Sequence, residues 1–571
     1  MSQLQPNFPI YPIETVRDLL FKAEDRYQDR MSIKSKKDGT FQGLSFVQVR
    51  EQTEKLATAL FELGIEKGDR VGIIGENRIE WAISYLAVVT SGFVGVPIDR
   101  DLREREIRHI LSLSQTKVLL AAEEYVKPLK EDRAALPELQ FIVSMEADRD
   151  GADLSFSEAL HRGSGALVAG NRSYSGATVA PDDTAVILFT SGTTGTSKGV
   201  VLTHQNIASN VVGTSYHVSI HQSDIVLSVL PLHHTYECTA GFLIAMYQGA
   251  TICHAESLRR IADNLRETRA TVMLGVPALF EAIYRRIEAG IREKGQGKFK
   301  LAKGICSISE TLFRLKIRRK IFGQIHEKVG GRLRLLISGG AAINPAVSKG
   351  FRQLGIDFIQ GYGLTETSPI ISVNRVDHCK DGSVGVPLPE TEVEIVDDEI
   401  LVRGPGVMKG YFRNEAATEE TILDGWLHTG DLGFFDKDGF LHISGRKKSV
   451  IVTPNGKNVY PEEIEYLLSQ SPFVLESLVW GGPDEDPSKT EVQAIIVANT
   501  ETFDKEFGPS AYDEDKINKI VSQEVRKVNK ELARFKRIRK FVLRNEEFEK
   551  TTTRKVKRYL YTAKTVPLRR P

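Results

Sequence analysis

Three stretches of this chain share one design: an apolar, β-favouring run opens directly into glycines. They are "TAVILFTSGTTG" (Thr184 to Gly195), "RLRLLISGGAAI" (Arg332 to Ile343) and "IDFIQGYGLTETS" (Ile356 to Ser368). Short apolar runs bounded by turn residues predict buried strands. Elsewhere the chain alternates such runs with helical patterns, as in "SFVQVREQTEKLATALFELG" (Ser45 to Gly64) followed by "DRVGIIGEN". That alternation predicts α/β layers. In open α/β sheets ligands gather at the carboxyl ends of the strands, so three glycine-rich exits point to one shared site.

The first exit continues as "SGTTGTSKGV", which packs hydroxyls and glycines around Lys198. The nucleoside-triphosphatase P-loop needs glycine before its lysine and a hydroxyl after it. Here Ser197 precedes Lys198 and Gly199 follows, so this is a phosphate loop of another kind. Glycine lets main-chain N–H groups approach phosphate oxygens closely. Thr190, Ser191, Thr193 and Thr194, set among Gly192 and Gly195, add hydroxyl donors, and Lys198 adds a point charge.

Beyond about Glu390 the pattern changes to short strands with Gly/Pro turns, a hairpin at "DKDG", and then a compact α+β pattern. A boundary is expected at Gly445–Ser449. Several units are expected from 571 residues. Four scattered cysteines (Cys238, Cys253, Cys306, Cys379) give no zinc or disulfide spacing and fit a reducing cytosol. The N-terminus shows no signal-peptide pattern. The uncharged run Trp81 to Ile98 is broken by Ser91-Gly92 and closed by a β-branched tail, which predicts a buried helix and strand, not a membrane span. A net charge of +1 gives no global polyanion signal, hence no nucleic-acid partner, yet residues 516–571 hold 19 Lys/Arg against 5 Asp/Glu. That basic stretch, "EVRKVNKELARFKRIRKF" within it, is either a solvated helical face or a surface for an anionic ligand or membrane.

Seven stretches in order, from about residue 45 to 560, resemble the adenylate-forming acyl-CoA synthetases: "TSGTTGTSKGV", "LPLHHTYE", "LISGGAAI", "QGYGLTETS", "GWLHTGDLG", "ISGRKKSVIVTPNGKNVYPEEIE" and "TTTRKVKRYL". The departures are Ser197, where the family more often has proline, and Arg554, where many relatives have glycine. The resemblance implies a large multi-subdomain α/β part (residues 1–447) and a small mobile α+β domain (449–571), hinged at Lys448. It implies ATP, Mg²⁺ and coenzyme A as cofactors or co-substrates. Thr190 and Glu366 would serve the metal and catalysis, since Mg²⁺ takes one or two carboxylates and keeps waters. Thr365 would contact the α-phosphate and Tyr362 stack on adenine, beside Gly361 and Gly363. Asp431 and Arg446 would hold the ribose.

His234 would line the acyl entrance, with His233 a packed neighbour, and Gly339 and Gly340 would form a bare wall for the acyl group. Lys555 would bridge carboxylate and α-phosphate during adenylation, where developing negative charge needs a positioned cation. Gly456 would line the pantetheine tunnel after the small domain rotates. "VPALFEAIYRRIEAGI", the spacer to Gly331 and "TPNGKNVYPEEIE" look most like the bacterial long-chain fatty acyl-CoA branch. Alternatives left open are transfer of the acyl group to a carrier protein, medium-chain or aryl acids, a luciferase-like oxygenase and a non-catalytic nucleotide binder. A cytoplasmic protein is expected, peripheral at the inner face of a membrane if "RLKIRRKIFGQIHEK" (Arg314 to Lys328) forms a basic apolar helix.

Overall fold

The computed structural model describes residues 10–146, 151–190, 198–294, 306, 317–453, 457–483, 490–509, 511–550 and 556–561. The chain forms two compact units: Met1–Val393 with Val402–Leu427, and Glu394–Leu401 with His428–Pro571.

The larger unit is built on two sheets flanked by helices. One has eight strands in the order Gly410–Tyr411, Lys198–Thr203, Thr184–Thr190, Val94–Pro97, Arg70–Ile74, Val118–Ala121, Phe141–Ser144, Leu154–Ser155. The other has nine, in the order Val386–Pro387, Ile370–Val373, Asp357–Gly363, Leu335–Ser338, Val272–Gly275, Ile225–Ser228, Thr251–His254, Met31–Lys37, Thr40–Ser45. Their central strands pair in parallel, as Leu335–Ser338 does with both neighbours. Parallel strands covered on both faces are apolar throughout, and Val118–Ala121, Val272–Gly275 and Leu335–Ser338 are buried at every position. Helix Phe46–Glu62 shows how locally such elements are specified. Ser45 Oγ accepts from Gln48 N at 3.3 Å and Gln48 Oε1 accepts from Ser45 N at 2.9 Å, a capping box worth about 1 kcal/mol.

The uncharged run from Trp81 folds as expected: helix Ile79–Thr90, a turn with Gly92 at φ +81°, then strand Val94–Pro97, with residues 81–98 buried throughout. Among the described residues no helix is long and apolar enough to cross a membrane. The Arg314–Lys328 expectation fails in its described part. Instead of one amphipathic helix there are two short ones, Arg318–Ile321 and Gly323–Lys328. Arg318 donates to the Gln353 carbonyl at 3.0 Å and Arg319 to the Leu333 carbonyl at 2.7 Å, so these cations brace the fold.

In the smaller unit, strands Val474–Pro483, Thr490–Ala498 and Lys540–Arg544 form a sheet, antiparallel then parallel, against helices Pro461–Ser469 and Glu514–Glu531. Ile464, Leu468, Val479, Ile496, Val521, Val525 and Phe541 form its core. The basic stretch is not one helical face. The helix stops at Glu531 because Leu532, Ile538 and Phe541 are drawn into that core. Several of its cations are paired with acids of the same unit, including Lys536 with Glu463, Lys540 with Glu491 (both 2.6 Å), Lys550 with Glu476 and Arg558 with Glu465.

Candidate active site

Strands Thr184–Thr190 and Lys198–Thr203 run antiparallel, and their register places Thr190 opposite Lys198. Thr190 Oγ1 donates to the Lys198 carbonyl at 3.4 Å. Ser191, Gly192, Thr193, Thr194 and Gly195 lie outside the described residues, but the strands that carry their two ends are fixed. Lys198 Nζ stands 4.6 Å from the centroid of the Tyr411 ring, a cation–π contact. The Tyr411 hydroxyl donates to Glu366 Oε1 at 3.0 Å. Burial and the adjacent Glu366 carboxylate raise the Tyr411 phenol well above its ordinary value, so it stays a donor. Lys198, Tyr411 and Glu366 thus form one contiguous polar row at the mouth of the first glycine-rich exit.

Glu366 sits in the turn Thr365–Thr367, just after strand Asp357–Gly363. Thr367 Oγ1 donates to the Pro369 carbonyl at 2.6 Å and accepts from Leu364 N at 3.0 Å. Asn210 Nδ2 donates to the carbonyls of Thr367 (3.1 Å) and Ile370 (2.7 Å). The turn is therefore held on both sides, and Met408 N donates to the Glu366 carbonyl at 2.8 Å. Gly363 has a packing reason: a Cβ there would lie 1.8 Å from the Pro369 carbonyl oxygen. At Gly361 a Cβ would lie 3.1 Å from the Ser372 carbonyl oxygen, while Tyr362 is buried in the strand between them. Thr365 is half-buried beside Glu366.

At the second exit, a Cβ on Gly339 would meet the Tyr236 ring at 2.8 Å, and Gly340 has φ +83°. The Tyr236 hydroxyl donates to the Ile337 carbonyl at 3.0 Å. The bare wall is thus lined by a tyrosine that the motif reading passed over.

The segment carrying the two histidines leaves strand Ile225–Ser228. Asn77 Nδ2 donates to the Leu230 carbonyl at 2.6 Å, and its Oδ1 accepts from Leu232 N at 2.9 Å, tying this loop to the end of strand Arg70–Ile74. His234 is half-buried, its ring centroid 4.9 Å from that of His233. His233 is 6% exposed. Its Nε2 is 3.4 Å from Asp99 Oδ1, too poorly aligned for a hydrogen bond. Glu237, four residues on, is fully buried. Burial pushes its carboxyl up to about 8, and the Ser228 hydroxyl and the Leu230 backbone N–H only partly offset that. Among the described residues neither of its oxygens has an aligned hydrogen-bond partner.

In the smaller unit, Asp431 and Arg446 are register partners on strands Trp426–Phe435 and Leu441–Arg446. Arg446 Nε lies 2.7 Å from Asp431 Oδ1. Thr429 Oγ1 accepts from Asp431 N at 3.0 Å and donates to the Ile400 carbonyl at 2.7 Å. Glu399 accepts from Gly430 N at 3.0 Å and pairs with Lys447 at 2.8 Å. The two expected ribose residues are therefore brought together on a braced hairpin. Lys448 is exposed in the turn Lys447–Ser449. Gly456 and Lys555 lie outside the described residues.

Residues 20–412 match the AMP-binding enzyme family, and residues 448–565 match the AMP-binding enzyme C-terminal domain. The chain is 31% identical over 591 residues to long-chain-fatty-acid–CoA ligase FadD15 of Mycobacterium bovis, covering 98% of this chain and 96% of that protein. It is 27% identical over 595 residues to the chloroplastic long-chain-fatty-acid–[acyl-carrier-protein] ligase AEE15 of Arabidopsis thaliana, covering 90% and 80%. Its fold is similar to the crystal structure of the anthranilate CoA ligase AuaEII in complex with anthranoyl-AMP, with a TM-score of 0.76, 23% identity and 97% of each chain covered. The α/β architecture, the glycine-rich strand exits and both family matches agree: this chain belongs to the AMP-binding enzyme family.

Proposed function

We propose that the protein activates a long-chain fatty acid with ATP, through an acyl-adenylate and release of pyrophosphate, and transfers the acyl group to coenzyme A with release of AMP. The observation that carries the reading is the row Lys198–Tyr411–Glu366, which sets a cation and a carboxylate beside the phosphate loop. The substrate rests on the full-length similarity to FadD15.

The donor set suits Mg²⁺. Glu366 is a hard oxygen ligand with one oxygen held by Tyr411 and the other without a hydrogen bond among the described residues, and Thr190 supplies a hydroxyl across the loop. When bound, the metal would neutralise phosphate charge. The chain's own groups do the rest. Lys198 attracts the outer phosphates, the loop Ser191–Gly195 offers N–H and hydroxyl donors, and Thr365 reaches the α-phosphate. Tyr362, with Gly361 and Gly363, borders adenine. Asp431 accepts from the ribose hydroxyls while Arg446 holds it in place. Lys555 stabilises the charge that develops as carboxylate oxygen attacks the α-phosphate.

His234, with Gly339 and Gly340, bounds the acyl path. The expected domains, residues 1–447 and 449–571, would turn about Lys448, and Gly456 would then admit the coenzyme A thiol. Attachment to an anionic membrane would be salt-reversible, but the paired cations of the basic stretch lend it little support.

The test is a pyrophosphate-release screen from acetate to oleate, with coenzyme A and with an acyl carrier protein as acceptors. Each buried methylene is worth ~0.8 kcal/mol, so activity is expected to climb with chain length and then plateau, with coenzyme A as acceptor. A maximum at acetate or benzoate overturns the substrate, and product formed only on the carrier protein overturns the acceptor.

A further inference from the structure

We propose that Asp99, His233 and His234 form a binding site for a divalent transition cation of the Zn²⁺ type, separate from the magnesium ligands. The three residues come from the carboxyl ends of two different sheets. Asp99 follows strand Val94–Pro97, and the histidines follow strand Ile225–Ser228. One ligand atom from each lies within 4.8 Å of the other two.

The chemistry of the set is specific. Two imidazoles and one carboxylate suit zinc or its neighbours, whereas Mg²⁺ prefers oxygen ligands alone. Ligand distances of about 2.0–2.2 Å around tetrahedral zinc give ligand–ligand edges of roughly 3.3–3.6 Å. The His233 Nε2 to Asp99 Oδ1 distance of 3.4 Å already matches such an edge. Closing the third corner takes a shift of about 1 Å, within the reach of a rotamer adjustment at half-buried His234.

A second observation points to a ligand independently. The His233 side chain is 4% exposed, yet among the described residues its Nε2 has no aligned hydrogen-bond partner. A buried polar atom left unsatisfied costs ~1–3 kcal/mol. Coordination would satisfy the nitrogen. Three protein ligands leave a fourth position open, the arrangement of a site that also takes water or a carboxylate. Because the proposed function places His234 at the acyl entrance, a cation here would compete with the incoming acid; that consequence, unlike the site itself, rests on the proposed function.

The experiment uses the full chain, stripped with chelator, without ATP or fatty acid, so that its outcome is independent of the enzymatic reading. Co²⁺ is added as an optical probe, and Zn²⁺ is measured by calorimetry and by displacement of the cobalt. The expected result is a single saturable site with a tetrahedral-type visible cobalt spectrum. Asp99→Asn and His233→Gln, which keep side-chain bulk, are each expected to weaken binding by at least ~10-fold, the size seen even for outer-shell partners. His442→Ala, which removes the unrelated His442–Asp436 pair of the smaller unit, is expected to change nothing.

Absence of saturable binding, binding in both site variants as tight as in the parent, or loss of binding in His442→Ala overturns the site. In a separate arm, Zn²⁺ inhibition of pyrophosphate release that is competitive with the fatty acid and disappears in His233→Gln supports the position at the entrance. Inhibition unchanged by that variant overturns that position.

Discussion

The turn Thr365–Thr367 and the hairpin Trp426–Arg446 each present one carboxylate, and their partners differ in kind. Glu366 is held by a neutral phenol at 3.0 Å. Asp431 is held by a guanidinium at 2.7 Å. A phenol orients a carboxylate without cancelling its charge, so Glu366 keeps the full attraction a hard cation requires. A guanidinium cancels most of that charge but leaves oxygen lone pairs that can accept from hydroxyls. On the proposed function, the same side-chain chemistry would be directed to a metal in one region and to a sugar in the other. Glu237 is a third case: with no charged partner among the described residues, burial holds its carboxyl up at about 8 and so favours the protonated form at neutral pH.

The largest effect is expected from Glu366→Gln. Loss of charge at a group that acts in the transition state typically lowers rate ~10²–10³-fold. Pyrophosphate release is expected to fall by that much, with half-saturation moved to higher Mg²⁺; an unchanged magnesium curve would assign Glu366 a structural role. Asp431→Asn is expected to raise KM for ATP by about 10–100-fold, since hydrogen bonds to charged groups contribute ~1.5–3 kcal/mol, and to leave the magnesium curve where it is. A shifted curve there would erase the distinction between the two carboxylates. Tyr411→Phe removes one neutral donor and is expected to weaken magnesium dependence by about 5-fold, or ~1 kcal/mol.

The smallest effect concerns stability. A carboxyl whose folded-state value is raised makes the native state bind more protons, so it lowers stability as pH rises above the unfolded value toward about 8. Glu237→Gln is therefore expected to gain stability relative to the parent between pH 5 and pH 8 in urea denaturation. An equal difference at both pH values would mean that the carboxyl is satisfied as an anion.

Much of this was legible in the sequence, for local reasons. The strand exits into glycine, the helical pattern from Ser45 to Gly64 and the break at Ser91-Gly92 each depend on neighbours within a few residues. So does the hairpin that makes Asp431 and Arg446 partners, because the turn Asp436–Gly439 fixes its register. What the sequence hid were partners brought from afar. Tyr411 reaches Glu366 across 45 residues, and Asn77 reaches Leu230 across 153. Asp99 meets His233 only because two sheets end side by side. The partners that make the described cations of Arg314–Lys328 braces for the fold were hidden in the same way: the carbonyls that engage Arg318 and Arg319 belong to Gln353 and Leu333.

The central claim is that an acyl-adenylate forms before any thiol takes part. Exchange of labelled pyrophosphate into ATP, measured with oleate and Mg²⁺ but without coenzyme A, tests it directly. The account predicts exchange that requires the fatty acid and the metal, persists in Tyr411→Phe and nearly disappears in Glu366→Gln. Exchange that appears only when coenzyme A is added, or that proceeds equally without the acid, would contradict it.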